Sequence, residues 1–312
     1  MSKPLNVAVA GLGTVGGGTI RILHENAALL ERRCGRAVKL VAVADPRRRN
    51  DLDDCVKGAR WLDDAMALVD DAEVDVIVEL IGGSDGIAKK LCESALKNGK
   101  SVVTANKALI AHHGTELAVL AEASGATLAF EAAVAGGIPV IKSIREGMAA
   151  NTINKVYGIL NGTCNYILTE MRLTKRDFAA VLAEAQEKGY AEADPTFDVD
   201  GIDTAHKLAI LASLSFGCEI DFESVHTEGI RSISAVDIEY AEELGYRIKL
   251  LGIASLTESG LEQRVHPCMV PLSAPIAQIE GVFNAVVAHG DFVDTIMQVG
   301  RGAGERPTVG GP

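Results

Sequence analysis

Leu5-Asn6-Val7-Ala8-Val9-Ala10-Gly11-Leu12-Gly13-Thr14-Val15-Gly16 is the stretch on which the fold turns. Its first half is a short apolar run that reads as a buried strand. Its second half matches G-x-G-x-x-G in the required place, between a strand and a helix. Ile20, Leu23, Ala27 and Leu30 continue the pattern as a helix, and a second strand is expected over Val38 to Val43. The glycines permit a tight turn and a close backbone approach, so that a pyrophosphate can rest on the helix N-terminus. Asp45, just past the second strand, stands where a carboxylate can hydrogen-bond ribose hydroxyls. Gly11, Gly13, Thr14, Val15, Gly16 and Asp45 are therefore the expected dinucleotide cradle.

Working outward, strands are expected at Val74 to Leu80, Ser101 to Thr104 and Thr127 to Phe130, separated by helical stretches. This alternation predicts an α/β fold, a Rossmann-type doubly wound parallel sheet. Strand C-termini in such sheets face the ligand crevice, which places Thr104 and Lys107 towards the nicotinamide end. An acid at Asp45 suits NAD and repels a 2′-phosphate. Arg47-Arg48-Arg49 could do the reverse and bind NADP, or could form a solvated turn. NAD is favoured and NADP stays open.

A second informative stretch runs Tyr190-Ala191-Glu192-Ala193-Asp194-Pro195-Thr196-Phe197-Asp198-Val199-Asp200-Gly201-Ile202-Asp203-Thr204-Ala205-His206-Lys207. Pro195 and Gly201 break it, after which Asp203, Lys207, Leu208, Leu211 and Leu214 recur at helical spacing. Asp203 and Lys207 thus share one helix face. On an arbitrary helix this would be a solvated pair worth only a few tenths of a kcal/mol. Glu192, supplied by the preceding loop, favours a proton-transfer site instead. Asp198-Val199-Asp200-Gly201 imitates part of a calcium loop, but Lys207 would fall where a bidentate glutamate is needed, so calcium is rejected.

The 312 residues are 48% hydrophobic and 23% charged, with a net charge of −12, which argues against a nucleic-acid surface. No apolar run approaches a membrane span, and Met1-Ser2-Lys3-Pro4 leads into a strand rather than a signal peptide, so a cytoplasmic protein is expected. The six cysteines form no Cys-x-x-Cys pair and read as scattered core thiols. His112 and His113 read as helix surface, and no histidine has an obvious partner.

These residues resemble the homoserine dehydrogenase family through nearly the whole chain. The matching blocks are Gly11 to Gly16, Thr104 to Ile110, Phe130 to Pro139, Gly158 to Ile167, Tyr190 to Lys207 and Gly300 to Gly304. The resemblance implies NAD(P)-dependent interconversion of L-homoserine and L-aspartate 4-semialdehyde in threonine and methionine biosynthesis. It implies Lys207 as proton donor and acceptor with Asp203 beside it, Lys107 as a second catalytic lysine, and Glu192, Asp203, Gly162 and Thr163 around the substrate. Oxidation of the alcohol needs the neutral amine, so it should accelerate at alkaline pH. The resemblance further implies a monovalent cation such as Na+ on main-chain carbonyls of Glu131, Val134, Gly136 and Ile138, with Gly302 and Gly304 closing over the nicotinamide.

A dinucleotide domain is expected over residues 1–135 and an α+β substrate and dimerisation domain over 136–299, with 300–312 returning to the first. Pro139 opens a linking helix. Further helices are expected at Asp177 to Lys188 and Ile202 to Ser215, and strands from Ile153 and at Ile248 to Ser255, Leu261 to Val270 and Val282 to Ala288. Pro267, Pro271 and Pro275 read as a rigid loop. The family's sheet pairs two subunits, so a homodimer is implied. Two departures stand out. The tail Glu305 to Pro312 reads as lacking the helix with which relatives pack back on the nucleotide domain, and a C-terminal regulatory module has no room, which implies a short form with little threonine inhibition through such a module. Ala44, where relatives often carry arginine, tilts the cofactor further from NADP. The alternatives are a catalytically inactive nucleotide-binding regulator and a dehydrogenase of a related amino acid.

Overall fold

Strand β1 (Leu5–Ala10) lies at the centre of a six-stranded parallel sheet, between β2 (Val38–Ala44) and β4 (Val76–Glu79). The sheet belongs to a computed structural model that describes residues 3–310; expectations for Met1, Ser2, Gly311 and Pro312 lie outside the described residues. Outward on one side follows β3 (Arg60–Leu62), and on the other β5 (Ser101–Thr104) and β6 (Leu128–Ala129). The chain thus winds away from β1 in both directions, which puts the end of β1 at the topological switch point. Between strands run α1 (Thr14–Glu25), α2 (Ala27–Cys34), α3 (Ile87–Lys97) and α4 (Lys107–Ser124). Val9, Leu12, Ile20, Val43 and Leu52 form the core that presses the glycine turn onto the sheet. The doubly wound sheet matches the expected class. It also contains β3, too short to leave a periodic signal.

The chain divides into two compact units, one made of residues up to Ala133 together with those from Gly304, the other of Val134–Ala303. The second opens with the short helix α5 (Val140–Lys142), continued by a π-turn over Ser143–Gly147. Its sheet is mixed, in the order β12-β11-β7-β9-β10-β8, built from β7 (Ile153–Ile159), β8 (His226–Thr227), β9 (Tyr246–Thr257), β10 (Gly260–Pro271), β11 (Phe283–Gly290) and β12 (Asp294–Arg301). Helices α6 (Gly162–Thr174), α7 (Phe178–Glu187), α8 (Thr196–Val199), α9 (Ile202–Phe216) and α10 (Ala235–Glu243) complete it. At the middle of β9, Gly252 lets Leu160, Thr204 and Leu208 come down on the sheet. Asn165 of α6 donates to the carbonyls of Ile279, Gly281 and Phe283 at 3.0–3.2 Å and accepts from Lys249 at 3.0 Å. Burial pushes the Lys249 ammonium down to about 8.

Three expectations need correction. Pro267 and Pro271 lie inside β10 and not in a loop. Among the described residues β8 flanks β10 only at Arg264 and Val265, so the rest of that side is an edge, where proline is tolerated. The helix judged absent from the tail exists as α11 (Glu305–Gly310), which packs on α1. Pro307 sits in its first turn, where no intrahelical N–H is required. The cysteines are only partly core thiols: Cys92 and Cys164 are buried, whereas Cys34 and Cys218 are exposed. Among the described residues no helix is long and apolar enough to cross a membrane.

Candidate active site

In the first unit the glycine turn follows β1 directly. Gly11 has φ +88°, and a β-carbon there would lie 2.6 Å from the Leu80 carbonyl; one on Gly16 would overlap the Gly11 oxygen. Neither position can carry a side chain without moving the turn. The Asp45 carboxylate accepts from Leu12 N at 2.7 Å and Arg47 N at 2.9 Å, so it braces the turn from below. Gly11, Gly13, Asp45, Arg47, Asp64 and Ile81 line a cleft of about 360 Å³. The three arginines have separate fates. Arg48 lies over the Trp61 ring, and Arg49 donates to the Leu12 and Gly13 carbonyls while pairing with Asp51. Arg47 alone of the three lines the cleft, its side chain largely exposed.

The ends of β4 and β5 are tied together by Glu79, which is fully buried. Its oxygens accept from Ile81 N, Gly82 N and the Thr104 hydroxyl, the last at 2.6 Å. Thr104 in turn accepts from Asn106 N, and Asn106 caps α4 while donating to the Gly83 carbonyl. Lys107 is the first residue of α4, held at the C-terminal edge of β5 by that cap.

In the second unit β7 ends at Ile159 and α6 starts at Gly162, with Asn161 as its cap: Asn161 Oδ1 accepts from Cys164 N at 2.8 Å. Asn161 Nδ2 donates to Asp198 at 2.7 Å and to Asp203 at 2.9 Å. Lys207 Nζ donates to Asp203 Oδ2 and to the Leu160 carbonyl, both at 2.7 Å. Asp203 is 4% exposed and Lys207 9%, so this is no solvated pair. Asp203 and Lys207 are brought together as the spacing implies, and Asp198 joins them through Asn161. Glu192 is exposed on the loop that Thr163 anchors by donating to the Tyr190 carbonyl at 2.7 Å. Asn161, Asp198 and Glu79 escaped the sequence reading; an asparagine between a strand and a helix is a cap signal that could have drawn attention to the first.

Two reactive residue types nearby are structural. Burial raises the Cys164 thiol well above its ordinary value, and the ring of His206 lies between Phe197 and Phe222. His113, read as without a partner, contacts Asp85 at 3.1 Å. Asn161 bears both cap and bridge, so Asn161→Ala should lower stability by about 1–2 kcal/mol. In urea denaturation the midpoint should fall with the slope unchanged; an unmoved midpoint would show that the cap contributes nothing.

A reaction that moves hydride to or from a carrier and a proton to or from the substrate needs both a dinucleotide cradle and a buried acid–base group. The glycine turn lies in the first unit and the buried Asp203–Lys207 pair in the second, and the chain's class is that of the NAD(P)-dependent oxidoreductases. Residues 11–131 match the model of the homoserine dehydrogenase NAD binding domain, and residues 139–311 that of homoserine dehydrogenase. Homoserine dehydrogenase of Pseudomonas aeruginosa is 54% identical over 308 residues, covering 98% of this chain and 70% of that protein. The enzyme of Bacillus subtilis is 41% identical over 309 residues, covering 98% and 71%. A crystal structure of a homoserine dehydrogenase from Thiobacillus denitrificans aligns with a TM-score of 0.94 at 50% identity, covering 98% of this chain and 71% of that one. A hyperthermophilic archaeal homoserine dehydrogenase in complex with NADPH aligns at 0.84 and 26% identity, covering 99% and 95%. The chain belongs to the homoserine dehydrogenase family.

Proposed function

We propose that the chain interconverts L-homoserine and L-aspartate 4-semialdehyde, with Lys207 moving the proton at the substrate oxygen. The observation that carries this reading is the buried anchoring of Lys207 Nζ by Asp203 and the Leu160 carbonyl. An ammonium has three N–H donors; two are spent on these anchors, which leaves one for the substrate oxygen. In reduction that N–H stabilises the growing alkoxide and then protonates it; in oxidation the neutral amine takes the proton back. The nicotinamide supplies or accepts the hydride when bound.

The remaining roles follow the same chemistry. The Gly162 and Thr163 amides open α6, where N–H groups have no intrahelical partner and suit the substrate carboxylate. Because the Thr163 hydroxyl is engaged with Tyr190, its amide is the group offered. Glu192 and Asp203 face the substrate's ammonium in this reading, and Lys107 assists from the edge of β5. Gly11, Gly13, Thr14, Val15, Gly16, Asp45, Thr104 and Gly304 hold the cofactor. A monovalent cation such as Na+ is assigned in this reading to the main-chain carbonyls of Glu131, Val134, Gly136 and Ile138. Support comes from the left-handed pair Ala135 and Gly136, although the Ile138 oxygen already accepts from Val140 N. A second copy of the chain would cover Met269, Phe283 and Val299, which β10 to β12 leave exposed, to give the homodimer.

NAD is the preferred cofactor in this reading, because Asp45 meets the ribose and Arg48 and Arg49 are already engaged. Initial rates with L-homoserine and either cofactor test both the reaction and the preference. We expect kcat/KM for NAD to exceed that for NADP by about tenfold, a difference of about 1.4 kcal/mol. Equal rates would assign the 2′-phosphate to Arg47, and no turnover with either would reject the reaction.

A further inference from the structure

Asn284 is the second residue of β11, paired with Gly300 of β12, and is 1% exposed. Its Nδ2 donates at 3.0 Å to the Leu160 carbonyl, the same oxygen that accepts from Lys207 Nζ at 2.7 Å. The amide cannot be turned over, because Oδ1 would then face the Leu160 oxygen as acceptor against acceptor. Oδ1 is itself buried with no hydrogen-bond partner among the described residues. A side chain kept only to fill this space would be less costly as an apolar isostere, so the donor is what the position requires. One glycine confines it further: a β-carbon on Gly302 would overlap Asn284 Nδ2.

A carbonyl that accepts from two fixed donors is held in direction as well as in place. Leu160 lies between the end of β7 and the Asn161 cap, so any tilt of its peptide moves one of the two anchors of Lys207. We propose that Asn284 is a positioning residue for hydrogen transfer, aiming Lys207 Nζ at the substrate oxygen through the shared Leu160 carbonyl. This rests on Lys207 being the proton-transfer residue.

The test measures single-turnover hydride transfer from L-homoserine to NAD, with steady-state KM, for Asn284→Leu and Lys207→Ala alone and together. Misplacing the amine should slow transfer by about ten- to a hundredfold in Asn284→Leu, with KM for L-homoserine within about threefold of wild type. In the Lys207→Ala background the same substitution should change the rate by less than about threefold, because the group it positions is gone. Equal losses in both backgrounds overturn the role of Asn284 and leave that of Lys207 standing. A wild-type rate in Lys207→Ala overturns Lys207 and Asn284 together. Should Asn284→Leu not fold, Asn284→Ala removes the same donor with less bulk and is measured in the same two backgrounds, where equal losses again overturn the proposal.

Discussion

Replacing Lys207 with alanine should lower kcat for L-homoserine oxidation by about 10²- to 10⁴-fold, the range of a lost general acid–base. The affinity for NADH should be unchanged, because Lys207 is not among the residues that line the cleft at the glycine turn. The substitution also strands a buried carboxylate, since Asp203 loses its cation. Breaking a buried pair from one side costs about 3–5 kcal/mol in general; here the Asn161 amide still satisfies Asp203 Oδ2, which places the loss at the lower end. Denaturation must therefore accompany the kinetics, with assays run where the variant is folded. A folded Lys207→Ala protein turning over within about threefold of wild type would remove Lys207 from the mechanism.

The second large effect is expected at Gly16. A β-carbon there overlaps the Gly11 carbonyl oxygen, which belongs to main chain pinned against Leu80 and Ala44 and cannot yield as a side-chain tip could. Gly16→Ala must displace the turn and the amides that would receive a pyrophosphate, raising the Kd for NADH by about a hundredfold or more, equivalent to about 2.7 kcal/mol. Gly13 is the internal control. It has φ −63° and open space where a β-carbon would go, so Gly13→Ala should leave the denaturation midpoint in place. Any loss of NADH affinity in Gly13→Ala then measures how closely the cofactor approaches. Tight NADH binding by Gly16→Ala would mean that the turn adapts, and that its glycines do not set the cradle.

What could be read in advance was what is local in sequence. The β1 strand, its glycine turn and α1 form one continuous segment, and Asp203 with Lys207 is a single helical turn, so periodicity and spacing identify both. The groups that change the meaning of that turn come from elsewhere. Leu160 and Asn161 stand more than forty positions from Lys207, and it is their placement that converts a surface-type ion pair into a buried one. Asp198 was visible as one more acid, but no rule of spacing distinguishes it from Asp194 or Asp200. The missed elements fail for related reasons. Three-residue β3 is a strand only because it pairs with β2. Edge strand β12 reads Asp-Thr-Ile-Met-Gln-Val-Gly-Arg, with too little apolar alternation to stand out. In the tail, Pro307 and Gly310 argue against a helix that packing on α1 nevertheless stabilises.

That last helix bears on the order of events during synthesis. The nucleotide unit is completed by residues from Gly304 on, which are synthesised only after the whole second unit. At about 5–20 residues per second, α1 waits on the order of ten seconds or more for its partner. Through that interval the face of α1 that meets α11 is open to other contacts in the cell. A nascent chain arrested before Gly304 should therefore be more readily cleaved by protease around α1 than one that contains α11.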